Sequence, residues 1–499
     1  MSTFLSVVLL TGGDDATVLR TARSVALDPD APARLVADAA SVSADGRAAV
    51  DAALPGRVQW TSGPLHTRVA AAQGRYVGLL APGDEVEPGV LSAVAEYLTA
   101  RPATDVLYVD EQWAAPGIEG ICTKPGWAPH YLEGWDYLGR LCLVRSTLVE
   151  QVGGLGDGPA AEWDLHLRVT EVTDRVEHLP VIGVTRLQPP STQPDVVEAG
   201  RRAVAARYER LGVAADVEVA HPAGYLRVWR ALPDPPPLVS VVIPTGGGRR
   251  EVRGESVLVV ETAVRSLVER TTYPRWEIVL VTSENTPADV VDKVQEIAGD
   301  RLTVAPVSGE FSFSHSVNEG VRLARGELVV LLNDDTEVVE PRWLDRMVAV
   351  AQDPTVGAVG AKLLFEDGTI QHVGIVHDDA WLPVHAHRVG ADDASHFGAK
   401  IVDVDYLAVT AACVLVPRQL YLELGGFSEE LPMAFNDVDF CHKVVAAGRS
   451  VVCTPFATLY HYESSTRVAD VRPFERQYLV DKTVELAKHD PHVNHRSVR

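Results

Sequence analysis

The sequence predicts an α/β protein made of two similarly built halves, each a mostly parallel sheet covered by helices. Three observations carry this. Short, nearly continuous Val/Ile runs such as Val239-Ser240-Val241-Val242-Ile243 read as strands buried on both faces. These runs alternate with stretches of helical spacing, the signature of βαβ units. The order of the elements then occurs twice in the chain, at a period far too long for a solenoid.

In the first half, LSVVLLT (5–11) and GRYVGLL (74–80) read as strands. The segment DVVEAGRRAVAARYERLG (195–212) has helical composition and reads as a connector between the halves. The clearest boundary follows in RALPDPPPLVSVVIPT, where Pro233 and Pro235-Pro236-Pro237 fit neither a helix nor a central strand. The expected division is 1–190, a linker at 191–237, and 238–499. The second half then runs strand 239–243, helix 261–270, strand 277–281, helix 288–297, helix 314–325, strand 328–332 and helix 342–351. Gly246-Gly247-Gly248-Arg249-Arg250 reads as a flexible loop, though its backbone amides could approach a phosphate.

The two halves match in order. LSVVLLT corresponds to VSVVIPT (239–245), and GRYVGLL to GELVVLL (326–332). Val152-Gly153-Gly154-Leu155 corresponds to Leu424-Gly425-Gly426-Phe427, and Glu162-Trp163-Asp164 to Asp437-Val438-Asp439.

The 499 residues carry a formal net charge of −23, which argues against non-specific nucleic-acid binding. At 46% hydrophobic residues the chain can bury real cores. The N-terminal MSTFLSVVLLTGG lacks a basic flank and reads as a strand rather than a signal peptide. No apolar stretch approaches the roughly 20 residues of a spanning helix. A cytoplasmic protein is expected, with peripheral contact at the inner face of a membrane left open. Five scattered cysteines without Cys-x-x-Cys spacing read as reduced, buried thiols.

Three clusters can carry chemistry. Asn333-Asp334-Asp335 ends a buried strand, where ligands of open α/β sheets bind. Carboxylates there suit a divalent cation, which takes oxygen ligands together with substrate phosphates; the plainer reading is a polar turn capping a helix. In Phe435-Asn436-Asp437-Val438-Asp439-Phe440, a carboxylate in a partly apolar setting can act as a general base, or simply cap a helix. In Tyr460-His461-Tyr462-Glu463-Ser464-Ser465-Thr466-Arg467, the imidazole can ligate a metal and Arg467 can hold a diphosphate; a lone His is otherwise structural.

Together these clusters resemble the family 2 glycosyltransferases of GT-A fold, in the type found in tandem-domain bacterial cell-surface polysaccharide enzymes. The resemblance spans 239–467 and includes FSFSHSVNEGVRLARGELVVLLNDDTEV, VGAVGAKLLFEDGTIQHVGIV, VTAACVLVPRQLYLELGGFSEELPMAFNDVDFCHKVVAAG and LYHYESSTR. It implies two tandem GT-A-like, Rossmann-like domains. It also implies inverting transfer from a nucleoside-diphosphate sugar to a glycan or lipid-linked glycan acceptor, with Mg²⁺ or Mn²⁺. On this resemblance Asp335 and His461 are metal ligands, with Asp334 a second metal candidate, and Asp437 is the catalytic base. Pro244, Thr245, Ser283, Glu284, Asn333, Asp334 and Arg467 fall on the donor side, and Thr410-Ala411-Ala412-Cys413 near the acceptor.

The chain departs from the family pattern in two places. The first acid of DxD is Asn333, and Thr282-Ser283-Glu284-Asn285 stands where an Asp is common. The first half resembles a worn copy: Ala81 and Gly83 stand at the DxD ends, Glu162 at the base, and Thr185 or a neighbour at the histidine. A scaffold or acceptor platform without chemistry is expected there. Two rival readings are a silent carbohydrate-binding or assembly protein and a nucleotidyltransferase.

Overall fold

The computed structural model describes residues 4–115, 118–188, 191–378, 380–391, 393, 396–462, 472–487, 490 and 492. The chain folds as two compact units. One comprises the residues up to Gly212 with Val217–Leu226; the other comprises Val213–Asp216 with the chain from Arg227.

In the C-terminal unit, Val239–Thr245 pairs in parallel with Trp276–Ser283 on one side and Leu328–Leu332 on the other. Leu302–Val307 extends the parallel set beyond Trp276–Ser283. Val239–Thr245 and Leu328–Leu332 are buried along their whole length, as their unbroken apolar runs require. Beyond Leu328–Leu332 the sheet becomes mixed. Cys413–Pro417 runs antiparallel to both Leu328–Leu332 and Val356–Leu364, and Ser450–His461 lies parallel to Val356–Leu364. Thr336–Val338 completes the edge against Ser450–His461.

Helices Val259–Arg270, Ala288–Ala298, Phe313–Leu323 and Trp343–Ala351 fall where helical spacing places them, within two residues. The apolar stripes of Val259–Arg270, Ala288–Ala298 and Trp343–Ala351 close one core, in which Val264, Val294, Trp343 and Met347 meet strand residues such as Val241, Ile278 and Val330. Phe313–Leu323 packs on the other face, where Gly320 approaches Val242 and Val281.

The sequence reading is corrected at two places. The first strand does not stop at Ile243 but continues through Pro244 to Thr245. Pro244 is tolerated because pairing with Leu328–Leu332 has already ended at Val242, so its missing N–H falls on the open side of the strand. Arg249 and Arg250 are not in a flexible loop. They begin a hairpin, Arg249–Val252 with Glu255–Leu258. Its two-residue turn has positive φ at both Arg253 (51°) and Gly254 (82°), the pattern of a type I′ turn.

The N-terminal unit has the same sheet. Its strand order is Val58–Thr61, Ala33–Asp38, Leu5–Leu9, Tyr76–Leu80, Leu143–Arg145, Val106–Ala115, Val176–Arg186, Glu85–Val86. Each position has its counterpart in the C-terminal sheet. A small detail is also duplicated. Gly74 N donates to Ser6 Oγ at 2.9 Å, and Gly326 N donates to Ser240 Oγ at 2.8 Å. In both places a Cβ would collide with the neighbouring backbone, so glycine is required for the strands to approach.

The helix Pro194–Leu211 packs within the N-terminal unit, where Tyr208 Oη donates to Glu133 Oε2 at 2.6 Å. All five cysteines are free and buried. No helix among the described residues is long and apolar enough to cross a membrane.

Candidate active site

The strand order switches at Val239–Thr245: the chain adds Trp276–Ser283 and Leu302–Val307 on one side and then crosses to place Leu328–Leu332 on the other. Ligands of open α/β sheets bind in the crevice at such a point, beyond the carboxyl ends of the strands. Thr245 and Asn333-Asp334-Asp335 lie there. Thr245 Oγ1 donates to Asp334 Oδ2 at 2.7 Å and bridges the crevice. Burial first, and then the charge of Asp335, push the Asp334 carboxyl up to about 7.

Asp335 faces the other way. Its Oδ1 lies 3.1 Å from His461 Nε2. Sheet register makes this contact, since Thr336 pairs with His461 across the edge. Asn333 Nδ2 also lies 3.1 Å from His461 Nε2.

Gln371 sets the tautomer of His461. Its Nε2 donates to the His461 backbone carbonyl at 3.2 Å, which fixes the orientation of the amide. Its Oε1 then faces His461 Nδ1 at 2.6 Å. A carbonyl oxygen only accepts, so Nδ1 carries the proton and Nε2 presents a lone pair. That lone pair accepts from Asn333 Nδ2 and lies beside the Asp335 carboxylate, so a cation bound there would take the place of the Asn333 amide.

Asp437 stands at the second position of helix Asn436–Ala446. Its Oδ2 accepts from Ala411 N at 3.0 Å, while Ala412 O accepts from Asn333 N at 3.1 Å. Consecutive residues therefore join the carboxylate of Asp437 to the acidic cluster. Asp437 is half-buried, whereas Asp439 is buried and paired with Lys443 at 2.8 Å. Of the two acids, Asp437 is the one open to a reactant.

Ser283 ends its strand in a turn: Ser283 N donates to Thr286 Oγ1, and that hydroxyl donates to Thr245 O, both at 3.0 Å. The structure thus brings Pro244, Thr245, Ser283, Asn333, Asp334, Asp335 and His461 around one crevice. Glu284 is exposed on the turn. Arg467 lies outside the described residues.

Gln371 was missed by sequence reasoning. Its only signal is a polar residue between Ile370 and His372 in a strand that is buried throughout. Among the described residues no group of three or more His, Cys, Asp or Glu side chains forms a metal cage. Two protein ligands suit a hard cation that fills its shell with waters and substrate phosphates.

The N-terminal counterpart is chemically different. Thr185 pairs with Glu85, and the next residue, Arg186, takes the register position of His461. The strand pairing of Tyr76 with Arg145 and of Leu328 with Pro417 likewise puts Arg140 at the position of Ala412. Arg140 reaches Asp84 at 3.3 Å and also pairs with Glu162. Glu162 is the second residue of its helix, as Asp437 is. Arg186 and Lys124 both hold Glu111 at 3.0 Å. Fixed cations therefore occupy the region where the C-terminal unit presents Asp335 and the His461 imidazole.

This mixed sheet, with acids at its switch point, defines the GT-A fold class. Residues 235–479 match the family described as "Glycosyltransferase like family 2". The chain belongs to glycosyltransferase family 2 through this domain, and its two sheets form two Rossmann-like GT-A domains.

Two curated relatives extend over most of the chain. An uncharacterized protein, y4gI, of Sinorhizobium fredii is 35% identical over 82% of this chain and 46% of its own length. The O-antigen biosynthesis protein RfbC of Myxococcus xanthus is 34% identical over 81% of this chain and 32% of its own length. The chain thus spans between a third and a half of these relatives. Among solved structures, GalNAc-T7 with UDP, GalNAc and Mn²⁺ is 17% identical, with a TM-score of 0.39 over 50% of each chain. The mannosyltransferase PcManGT of Pyrobaculum calidifontis, with GDP-Man and Mn²⁺, is 20% identical, with a TM-score of 0.32 over 51% of this chain and 63% of its own.

Proposed function

We propose that the C-terminal domain transfers a sugar, with inversion, from a nucleoside-diphosphate sugar to a hydroxyl of a glycan or lipid-linked glycan. The observation that carries this reading is the convergence of Asp335 Oδ1 and the His461 Nε2 lone pair at 3.1 Å, with Asp437 tied to the adjoining peptides. Asp335 and His461 would hold Mg²⁺ or Mn²⁺, which supplies Lewis-acid neutralisation of the departing diphosphate. Thr245, Ser283 and the Asn333 and Asp334 side chains line the donor side, and Arg467 is proposed to hold the diphosphate.

Asp437 accepts the acceptor's hydroxyl proton as that oxygen bonds to the anomeric carbon. The bond from that carbon to the diphosphate oxygen breaks at the same time, and its electron pair leaves with the nucleoside diphosphate. One displacement inverts the centre. The N-terminal unit keeps the fold without this chemistry, since its fixed cations already balance the carboxylates.

The likeness to an O-antigen biosynthesis protein supports a role in cell-surface polysaccharide synthesis. We place the protein in the cytoplasm, with peripheral association at the inner membrane face. In Asp437→Asn, binding of a UDP-, dTDP- or GDP-sugar should persist in a thermal-shift assay while transfer is abolished. A variant that turns over at the parental rate rejects Asp437 as the base.

A further inference from the structure

The N-terminal unit has its own cavity, of about 210 Å³, edged by Trp135, Trp163, Asp136, Arg140, Glu162 and Arg186. It lies on the face that corresponds, by strand register and helix position, to Ala412 and Asp437 of the other domain. That is the acceptor side under the proposed function, and the inference takes its ligand class from that reading.

The donor side lacks the carboxylate of the other domain, since Pro82 stands at the position of Asp334. Pro82 packs against Gly13, where a Cβ would sit 2.4 Å from the proline Cβ. A metal is excluded from the cavity by charge, because Arg140 already lies between Asp84 and Glu162. The volume is also below the roughly 300–1,000 Å³ of pockets that enclose drug-sized ligands. A whole nucleotide sugar does not fit, whereas a single ring does.

The lining suits a sugar ring. Trp135 and Trp163 are half-buried, and each offers an apolar surface. The Trp163 ring is held by donation from Nε1 to Leu132 O at 2.9 Å. Glu162 and Asp136 can accept from hydroxyls, and the guanidinium N–H groups of Arg140 and Arg186 can donate to them. The arginines are themselves anchored: the Arg140 backbone N–H and the Arg186 side chain both bond Glu111. The polar rim is therefore preorganised, which lowers the ordering cost of binding.

We propose that the N-terminal unit is a metal-independent binding site for one sugar ring of a glycan, formed from the acceptor half of a cleft that has lost its donor half. The test uses the full chain stripped with EDTA. Saturation-transfer NMR is recorded with the methyl glycosides of mannose, rhamnose, galactose, N-acetylglucosamine and glucuronic acid. At least one should bind without metal and bind equally to Asp335→Ala. Ala223→Trp, a substitution at an exposed turn of the cavity rim, and the isosteric Glu162→Gln should each weaken that binding at least about tenfold, the scale of one lost hydrogen bond to a charged group. Circular dichroism identifies a variant that has not folded, and the other variant then decides.

Absence of binding by every glycoside overturns the proposal, as does binding unchanged in the folded rim variants or abolished by Asp335→Ala. Metal-dependent donor hydrolysis, measured separately, reports on the C-terminal reading. Failure of one is therefore distinguishable from failure of the other.

Discussion

Gln371 is 3% exposed and makes two hydrogen bonds to His461, one to the ring and one to the backbone. Gln371→Leu keeps the volume and removes both. Each buried group left without a partner costs about 1–3 kcal/mol, so the pair costs roughly 4 kcal/mol at mid-range. In a domain of this size each kcal/mol lowers Tm by about 2–4 °C, which predicts a fall of roughly 8–16 °C in the C-terminal transition. The effect on chemistry is separate. Without the Gln371 oxygen, the Nδ1 proton is no longer fixed, and Nε2 is a lone pair only part of the time. Groups that orient a metal-bound histidine are typically worth about 10–100-fold in metal affinity or activity. The assay is donor hydrolysis titrated with Mn²⁺. The half-saturating Mn²⁺ concentration should rise by that factor, while the rate at saturation stays near parental. Gln371→Glu keeps an oxygen opposite Nδ1 and should recover most of the metal affinity without recovering the backbone bond. Parental half-saturation in Gln371→Leu would refute the tautomer argument.

Three further outcomes follow from the charge networks. Arg140→Ala leaves Asp84 and Glu162 without their shared cation and should destabilise the N-terminal unit by about 3–5 kcal/mol in urea unfolding. Glu111 is held down to about 2, because Lys124 and Arg186 outweigh a burial effect that alone would raise it. Its folded pKa lies below the unfolded value, so its contribution is full above about pH 4.5 and is lost as pH falls toward about 2. The stability gap between parent and Glu111→Gln should therefore narrow on acidification, as read by unfolding at stepped pH. Thr245→Val removes the donor to buried Asp334 at nearly constant volume, and should cost about 1–3 kcal/mol while weakening donor binding in a thermal-shift titration.

The buried strands and amphipathic helices were legible because their patterns are local. Val239–Thr245 and Leu328–Leu332 are buried on both faces and are written as unbroken apolar runs. The order of motifs also exposed the repeated architecture. What the sequence hid depends on register. Nothing local says that Arg186 rather than Thr185 takes the place of His461, because one residue of strand slip changes every cross-strand partner. Gln371 is silent for the same reason, since its partner lies 90 residues away. The Arg249–Leu258 hairpin was hidden by its turn chemistry: Arg253-Gly254 is a weak signal where Asn-Gly would have been a strong one.

The two domains solve one electrostatic problem in opposite ways. Each brings carboxylates to the ends of buried strands, where burial opposes their ionisation. In the C-terminal domain Asp334 is pushed up to about 7, Asp335 lies beside the His461 imidazole, and under the proposed function the balancing charge comes from an exchangeable ion. On that reading stability there is coupled to ligand, because whatever supplies the cation binds only the folded state. In the N-terminal unit Arg140, Arg186 and Lys124 are covalently part of the chain, and the balance is permanent. A guanidinium cannot leave or open a coordination position, so under the proposed function a site built around Arg140 offers no means to stabilise a departing diphosphate. Arginine at the position that Ala412 takes in the other domain therefore fixes a charge where that domain has a small side chain.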